Sequence, residues 1–258
     1  MRLNKVAAIA VAFAFCCAAL AWLSLPITDG EPQQADEKTR LGLVTSLPIY
    51  WSESAEFGDL LQEDQAPHWV RELLEQSYDI VPIDSLAGAE NMQLNEQLAL
   101  LDRLALMQPR PLSPPEYVAL DQWVNDGGKL LLFADPLLTE HSAFALTDRR
   151  RPQSIALISP ILERWGLKQY FDEDQAEGLQ QVSFMEIQID VDQPGYFENV
   201  RNGTASCVIR ADGLVAECTI GKGRALIVSD AALLDADNGT EGAKKAVKAL
   251  ALLAFDSN

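Results

Sequence analysis

Basic residues and histidines are both scarce in this chain of 258 residues. Lysine and arginine together number 20 against 38 aspartates and glutamates, which gives a formal net charge of −18 at pH 7. A surface of that charge repels phosphate backbones, so we expect no binding to nucleic acid and no general affinity for anionic lipid. The two histidines, His68 and His141, are too few for a histidine-rich metal site or a conventional catalytic triad. His68 is predicted to lie in the first turn of a helix, at the surface.

Motifs of the common catalytic and nucleotide-binding folds are missing as well. The sequence contains no G-x-S-x-G nucleophile elbow, no phosphate-binding P-loop and no G-x-G-x-x-G fingerprint. We therefore predict no catalytic residue, no metal ligand and no cofactor. An apolar content of 48% excludes wholesale disorder and is enough for a sizeable core.

The N-terminal residues have the composition of a membrane segment. Val6 to Leu25 is apolar over about the length that crosses a bilayer, and the basic residues Arg2 and Lys5 precede it. The positive-inside rule then predicts a cytoplasmic N-terminus, with the rest of the chain in the periplasm, anchored to the inner membrane. The polar residues 28–40 are predicted to be a linker.

Two interpretations of this segment remain open. Its length, and Trp22 near its outer end, favour an uncleaved signal-anchor helix over residues 1–27. Ala19 and Ala21 have the spacing of a signal-peptidase site, which allows cleavage instead. Both interpretations place the remaining chain outside the cytoplasm.

One stretch of the chain is typical of a helix followed by a buried strand. Ser113, Pro114 and Glu116 have the spacing of a helix N-cap, a first-turn proline and a capping box. A Gly-Gly pair ends the helix, and the apolar run Leu130 to Phe133 follows, as expected of a strand covered on both faces. Asp135 follows two residues after Phe133, at the strand end where open α/β sheets bind ligands.

Helices and apolar strands alternate along most of residues 41–258. Further strands are predicted at Leu41–Ser46, Ile80–Ile83, Leu104–Met107 and Ala225–Val228. Alternation at this spacing predicts an α/β fold with a doubly wound, mostly parallel sheet. Between about residues 178 and 220 the apolar period changes to two, and Asn202-Gly203 and Asp212-Gly213 are hairpin signals. This part is predicted to be an antiparallel β insertion.

Cys207 and Cys218 flank the second of these turns symmetrically. A hairpin turn at Asp212-Gly213 pairs residue 210 with 215 and, further along, Cys207 with Cys218. Directly opposed cysteines are close enough for a disulfide. Such a bond needs an oxidising compartment, which agrees with export.

The string PRPLSPPEYVALDQWVNDGGKLLLFADP, residues 109–136, resembles a segment of the auxiliary proteins of gliding-motility-type ABC transport systems. Gly221 to Arg224, followed by ALIVSDAALL, resembles the last sheet strand of the same family. The resemblance implies a class I glutamine-amidotransferase-like (flavodoxin-like) domain, usually without catalytic residues, and ABC transporter subunits as partners. The chain departs from larger members because it has no second, C-terminal membrane helix. An active domain of this kind needs a cysteine nucleophile, yet Cys16 and Cys17 lie in the membrane segment and the other two in the hairpin.

Two groups of residues are candidates for ligand binding. Asp84, Asp135 and Asp230 each follow a predicted strand and are expected along the carboxyl edge of the sheet. Carboxylates there would bind a divalent ion or act as an acid/base pair, or would simply cap helices and turns. The second group is the basic cluster of His141, Arg149, Arg150 and Arg151. Arginine forks there would hold a carboxylate or phosphate, or would form salt bridges or contact a partner.

An aromatic loop of Tyr50, Trp51 and Phe57 would stack a sugar ring or cover the sheet edge. The leading hypothesis is a non-enzymatic, membrane-anchored periplasmic domain that binds a ligand or partner as an accessory of an ABC-type transporter. The alternatives are a hydrolase that uses the strand-end aspartates, with or without a divalent metal, and a carbohydrate-binding module.

Overall fold

The computed structural model describes residues 38–51, 67–88 and 93–256. The predicted membrane segment, most of the predicted linker, and Phe57 lie outside these described residues. Within the described ranges, no helix combines the length and the apolar content that crossing a bilayer requires.

Strands β1 to β11 follow in chain order. They span Thr39–Thr45, Tyr78–Pro82, Arg103–Met107, Lys129–Phe133, Leu167–Phe171, Gln180–Phe184, Ile187–Val191, Gly195–Asn199, Ser206–Arg210, Val215–Ile220 and Gly223–Val228. Helices α1 to α5 span Trp69–Glu75, Glu96–Ala99, Pro114–Asn125, Ser159–Trp165 and Glu241–Phe255. Short 3-10 turns cover 211–213, 232–234 and 236–238.

A central sheet of seven strands has the order β2-β1-β3-β4-β11-β10-β9. The first five strands in that order are mutually parallel, and β10 runs antiparallel to both of its neighbours. Each central strand is an apolar run because helices cover both faces of the sheet. The predicted α/β fold with a mostly parallel sheet is confirmed.

Two hydrophobic layers lie on opposite faces of this sheet. Leu131 and Phe133 of β4 contribute to the layer that includes buried residues of α1 and α5. Leu130 and Leu132, which point the other way, join buried residues of α3 and α4. Side chains alternate along a strand, so one strand serves both layers. Each of these side chains is fully buried, and each contributes about 2 kcal/mol relative to an exposed position.

Helix α3 has the predicted start and end. Pro114 is its first residue, and the Glu116 carboxylate accepts hydrogen bonds from the Ser113 backbone N–H and hydroxyl at 2.8 and 2.9 Å. The chain leaves the helix at Gly127, whose φ of +131° is strained for residues with a Cβ. The predicted helix and the strand after it are confirmed.

The antiparallel part differs from the single insertion expected between about residues 178 and 220. Strands β6 and β7 form one two-stranded sheet, and β5 and β8 form another. Strands β9 and β10 instead extend the central sheet, because a tight turn at Gly221-Lys222 joins β10 directly to β11. The hairpin expected at Asn202-Gly203 is wrong, since the strands on either side of it pair with other partners.

The hairpin at Asp212-Gly213 is confirmed, and so is its disulfide. Arg210 pairs with Val215, and Cys207 lies opposite Cys218 in the ladder. The two sulfur atoms are bonded, with the Cα atoms 4.1 Å apart. The spacing in the sequence was sufficient here because a hairpin fixes every cross-strand pair once its turn is known.

Candidate functional site

Gln108 joins the carboxyl ends of three central strands. It follows β3 with a φ of +47° and is fully buried. Its side-chain oxygen accepts from the Asp135 N–H at 2.8 Å, and its Nε2 donates to the carbonyls of Asp135 and Gln153 at 3.2 and 2.8 Å. Its own carbonyl accepts from the Ser46 N–H and hydroxyl at the end of β1. Gln108 therefore holds the loops on both sides of it, one through its side chain and the other through its backbone carbonyl.

Asp135 and Asp230, at the ends of β4 and β11, lie together beneath the surface. Their exposed fractions are 0% and 1%. The Asp135 carboxylate accepts from the Leu137 and Ala231 N–H groups at 2.8 and 3.2 Å. The Asp230 carboxylate accepts from the Ala232 and Asp192 N–H groups at 2.7 and 3.2 Å. Each of the four carboxylate oxygens thus accepts a backbone N–H. This is the capping of turns that the sequence offered as one of the roles of these aspartates.

Burial of these acids shifts their protonation towards the neutral form. Loss of solvation raises the pKa of Asp135 to about 7, against the opposing effect of its two amide hydrogen bonds. Burial, followed by the charge of Asp135, also raises the pKa of Asp230. Burial and the neighbouring Glu140 raise the pKa of Asp235 to about 8. The pair therefore holds protons at pH values where exposed aspartates have lost them.

Asp84 lies apart from this pair. It is exposed and follows β2, which is three strands from β4 in the sheet order, or about 14 Å at ordinary strand spacing. The structure thus brings together two of the three predicted aspartates. Among the described residues, no group of three or more His, Cys, Asp or Glu side chains is arranged to hold a metal ion.

A cavity of about 450 Å³ opens at the carboxyl ends of β1 and β2. From β1 the chain connects to β2 on one side, while β3 lies on the other side, so the connecting loops diverge above β1. Open α/β sheets bind ligands at such a switch point. The lining includes β1 and β2 residues, residues 45–48, 50 and 51, Arg110, and residues 144, 149–151 and 153 of the loop after β4.

Within residues 38–51, 67–88 and 93–256, four arginines line this cavity: Arg110, Arg149, Arg150 and Arg151. Asp84 is the carboxylate among the described lining residues, so most of the sequence-predicted basic cluster and Asp84 meet here. His141 is exposed and is not part of the lining. The cavity is therefore a locally basic place on an acidic protein.

The arginines differ in how many of their N–H donors already form hydrogen bonds or ion pairs within the protein. Arg110 forms a two-pronged ion pair with the Glu116 carboxylate, at 2.7 and 3.2 Å. Arg150 pairs with Asp148 at 2.7 Å. Arg151 donates one N–H to the Phe144 carbonyl at 2.6 Å. Arg149 is exposed and has no hydrogen bond or ion pair with the described residues.

The Glu116 carboxylate that holds Arg110 is 3% exposed. Burial favours its neutral form, but hydrogen bonds from Arg110, from Ser113 and from the Leu86 N–H outweigh that effect and lower its pKa to about 2. The residue is therefore a stable anion, and it fixes Arg110 in the wall of the cavity.

Aromatic side chains complete the cavity. Trp51 lines it with 74% of its surface exposed, and its ring meets Tyr50 edge-on at a centroid distance of 4.9 Å. Arg71 fixes Tyr50 by lying 4.4 Å from its ring centroid and by donating to its carbonyl at 3.2 Å. Across the lining, the ring of Phe144 carries the Arg150 guanidinium at 4.2 Å. The exposed indole and the arginines thus line the same cavity.

His68 lies at the start of its helix, as the sequence indicated, but it is half-buried rather than fully exposed. It caps the N-terminus of α1, where its Nδ1 accepts from the Val70 N–H at 3.2 Å. Burial lowers its pKa to about 4, which keeps it neutral and able to accept this bond. A capping histidine is hard to predict because serine, threonine, aspartate and asparagine usually fill that position.

Sequence reasoning missed Gln108, Arg110 and Phe144 as parts of the site. Gln108 had a usable signal, because it is a polar residue directly between an apolar strand and Pro109. Arg110 also follows a strand end, where ligand-binding side chains are common. Phe144 had no such signal in the sequence, since it lies in a polar loop whose path depends on tertiary contacts.

A family model described as ABC-type uncharacterized transport system matches residues 38–195. A comparison with curated protein sequences finds no match. Among solved structures, the chain is similar to the N-terminal domain of mmIFT52, with a TM-score of 0.51 at 11% identity, covering 85% of this chain and 98% of that one. At that identity the similarity is one of fold alone.

Two other solved structures have lower scores. The exo-β-1,4-mannosidase Op5Man5 from Opitutaceae bacterium strain TAV5 has a TM-score of 0.49 at 13% identity, covering 85% of this chain. This chain spans 36% of the length of that enzyme. A ThuA-like protein from Parabacteroides merdae has a TM-score of 0.41 at 11% identity, covering 85% of this chain and 90% of that one.

Proposed function

The chain belongs to the family of the ABC-type uncharacterized transport system. On that basis we propose that it is a non-enzymatic accessory of an ABC-type transporter, anchored to the inner membrane with its domain in the periplasm. The domain binds a ligand or a partner protein. The observation that carries the proposal is the family match over residues 38–195, which covers the first four central strands, the arginine-lined cavity and Asp135.

The state of the reactive side chains supports a binding role. Both cysteines of the domain are joined in the Cys207–Cys218 bond, so neither is a free nucleophile. The oxygens of Asp135 and Asp230 already accept backbone N–H groups inside the protein. The hydrolase alternative is not carried forward, because it needs these carboxylates to face a substrate.

The proposed location depends on two features of different kinds. Arg2, Lys5 and the apolar stretch Val6 to Leu25 have the pattern of an N-terminal signal-anchor. The disulfide favours an oxidising compartment. The location is tested by trapping thiols with acid and an alkylating reagent in intact cells. We expect Cys207 and Cys218 to be protected from alkylation until a reductant is added. Full alkylation without reductant would contradict a periplasmic domain.

Recovery of a transporter subunit tests the accessory role. The full chain with a C-terminal tag is purified from detergent-solubilised membranes, and co-purifying proteins are identified by mass spectrometry. We expect a permease or ATPase subunit of an ABC transporter. The control is a fusion of residues 1–40 to an unrelated periplasmic domain. Equal recovery with that control, or no subunit with the full chain, would overturn the proposal.

A further inference from the structure

We propose that the cavity at the β1 switch point binds an acidic sugar, a saccharide ring that carries a carboxylate or a phosphate. The anionic group lies against Arg149 and Arg151, and one face of the ring lies against the Trp51 indole. This inference rests on the proposed function, since it names the ligand class of the accessory domain. It unites three features that are separate in the sequence: an aromatic loop, an arginine run and a strand end.

The size and position of the cavity suit a small molecule. Its volume of about 450 Å³ lies in the range of ligand pockets, roughly 300–1,000 Å³. Its inner wall includes the buried side chains of Leu43, Val44 and Ile83, at the ends of β1 and β2. Its outer wall is polar and includes Thr45, Ser46 and Gln153. A rigid sheet edge therefore supports the site, with Gln108 holding the loops beside it.

The charge of the lining selects an anion. Among the residues that the structure describes, four arginines and one aspartate line the cavity, in a protein whose net charge is −18, so this concentration of cations is local. Arg110 and Arg150 are already paired with Glu116 and Asp148. The guanidinium of Arg149 is unpaired among the described residues, and the guanidinium of Arg151 has a single described bond, to the Phe144 carbonyl. Planar guanidinium groups bind carboxylates and phosphates through paired hydrogen bonds.

The aromatic side chain selects a ring. Trp51 leaves 74% of its surface in solvent, although burying an indole is strongly favourable. It is steadied by Tyr50, which Arg71 in turn fixes. A flat apolar surface beside hydrogen-bond donors matches a pyranose, which has an apolar C–H face and a polar rim. An anion without a ring would leave this surface uncovered.

Calorimetric titration of the full chain in detergent tests the assignment with four probes: glucuronate, glucose 6-phosphate, glucose and inorganic phosphate. We expect the two acidic sugars to bind about tenfold or more tightly than glucose and phosphate. The stronger of the two identifies carboxylate or phosphate as the anionic group. Equal binding of glucose would overturn the role of the arginines. Equal binding of phosphate would overturn the role of the indole, and no binding of any probe would overturn the site.

Variants locate the binding. Arg149→Gln and Arg151→Gln together, and Trp51→Ala alone, should each weaken acidic-sugar binding by about tenfold. Arg201→Gln is the matched control, because Arg201 is exposed in the turn between β8 and β9 and does not line the cavity. Melting curves confirm that each variant is folded. Binding that survives both cavity changes, or that falls equally in the control, would contradict the proposal.

Failure of this inference is distinguishable from failure of the accessory role. Recovery of a transporter subunit without sugar binding would remove the ligand and leave the accessory role. Sugar binding that depends on Arg149, without recovery of a subunit, would remove the accessory role and leave the ligand assignment.

Discussion

Two regions at the same edge of the sheet have opposite chemistry. At β1 and β2, arginines surround a cavity of about 450 Å³ that is open to solvent. At β4 and β11, Asp135 and Asp230 are buried, and each of their oxygens accepts a backbone N–H. Both regions follow the carboxyl ends of parallel strands, where side chains from different loops converge.

The difference between the regions shows that strand-end position alone does not identify a ligand site. Polar atoms that are already hydrogen-bonded to the protein, whether donors or acceptors, cannot bind a ligand without losing those bonds. The buried pair stabilises turns, while the cavity keeps Arg149 and most donors of Arg151 available. Ligand binding is therefore expected where polar side chains have no hydrogen-bond partner in the protein. Polar side chains that are hydrogen-bonded inside the protein are expected to stabilise the fold.

The largest expected difference between the two regions is the effect of a higher pH on the stability that Asp135 contributes. The pKa of Asp135 in the folded protein, about 7, lies above the usual 3.8, so folding takes up a proton. Its contribution to stability is complete below pH 3.8 and is lost as the pH rises through 7. We expect the free energy of unfolding of the wild type to fall by about 3 kcal/mol more than that of Asp135→Asn between pH 4 and pH 7. Urea denaturation of both proteins at a series of pH values measures this difference. If the free energies of unfolding of the two proteins changed equally with pH, the prediction would be contradicted.

Removing an acceptor of the buried pair should have a slightly smaller effect. Asp230→Ala leaves the N–H groups of Ala232 and Asp192 without their carboxylate. We expect a loss of about 2–3 kcal/mol in the free energy of unfolding at pH 5, because buried donors would lose their partners. Asp230→Asn, which keeps one acceptor, should lose about half as much. A loss below about 0.5 kcal/mol would show that the pair does not hold these turns.

Glu116→Gln tests the ion pair between the buried Glu116 carboxylate and Arg110 in the cavity lining. The pKa of Glu116, about 2, lies below the usual 4.5, so its ionised form stabilises the fold above pH 4.5, and that contribution is lost as the pH falls to 2. We expect the variant to lose about 2 kcal/mol at pH 7, a value discounted because Arg110 is 42% exposed. The difference from wild type should shrink towards pH 2.5. A constant difference in denaturation curves would contradict the ion pair as its cause.

Arg149→Gln should have the smallest effect on stability. The side chain is exposed, and no described residue bonds to it, so the free energy of unfolding should change by less than about 0.5 kcal/mol. The same variant, combined with Arg151→Gln, is expected to weaken acidic-sugar binding by about tenfold. A large loss of stability from Arg149→Gln alone would place this arginine with the structural groups and remove the contrast between the regions.

Much of the central sheet could be predicted from local patterns. The capping box at Ser113 and Glu116 and the apolar run at Leu130 to Phe133 report on neighbouring residues, so a short window of sequence contains them. The disulfide followed from a hairpin register in the same way. The sheet assignment of β9 and β10 did not follow, because strand pairing with β11 depends on which edge of the sheet is free.

The candidate site was predictable in parts. The arginine run and the aromatic residues Tyr50 and Trp51 were visible as groups, but they are about a hundred residues apart in the chain. Nothing local indicates that both lie above β1. The aspartates showed the opposite limitation. Their positions after strands were evident, but the amides that occupy their oxygens were not.

Local sequence patterns were enough to predict the class of fold, the succession of helices and central strands along the chain, and the bond between Cys207 and Cys218. Those features depend on periodicity, capping and hairpin register, which act over a few residues. The folded arrangement was needed to show which strand-end groups are buried and hydrogen-bonded and which face an open cavity. That outcome depends on the order of strands in the sheet, because strand order sets which distant loops come into contact and which groups they exclude from water.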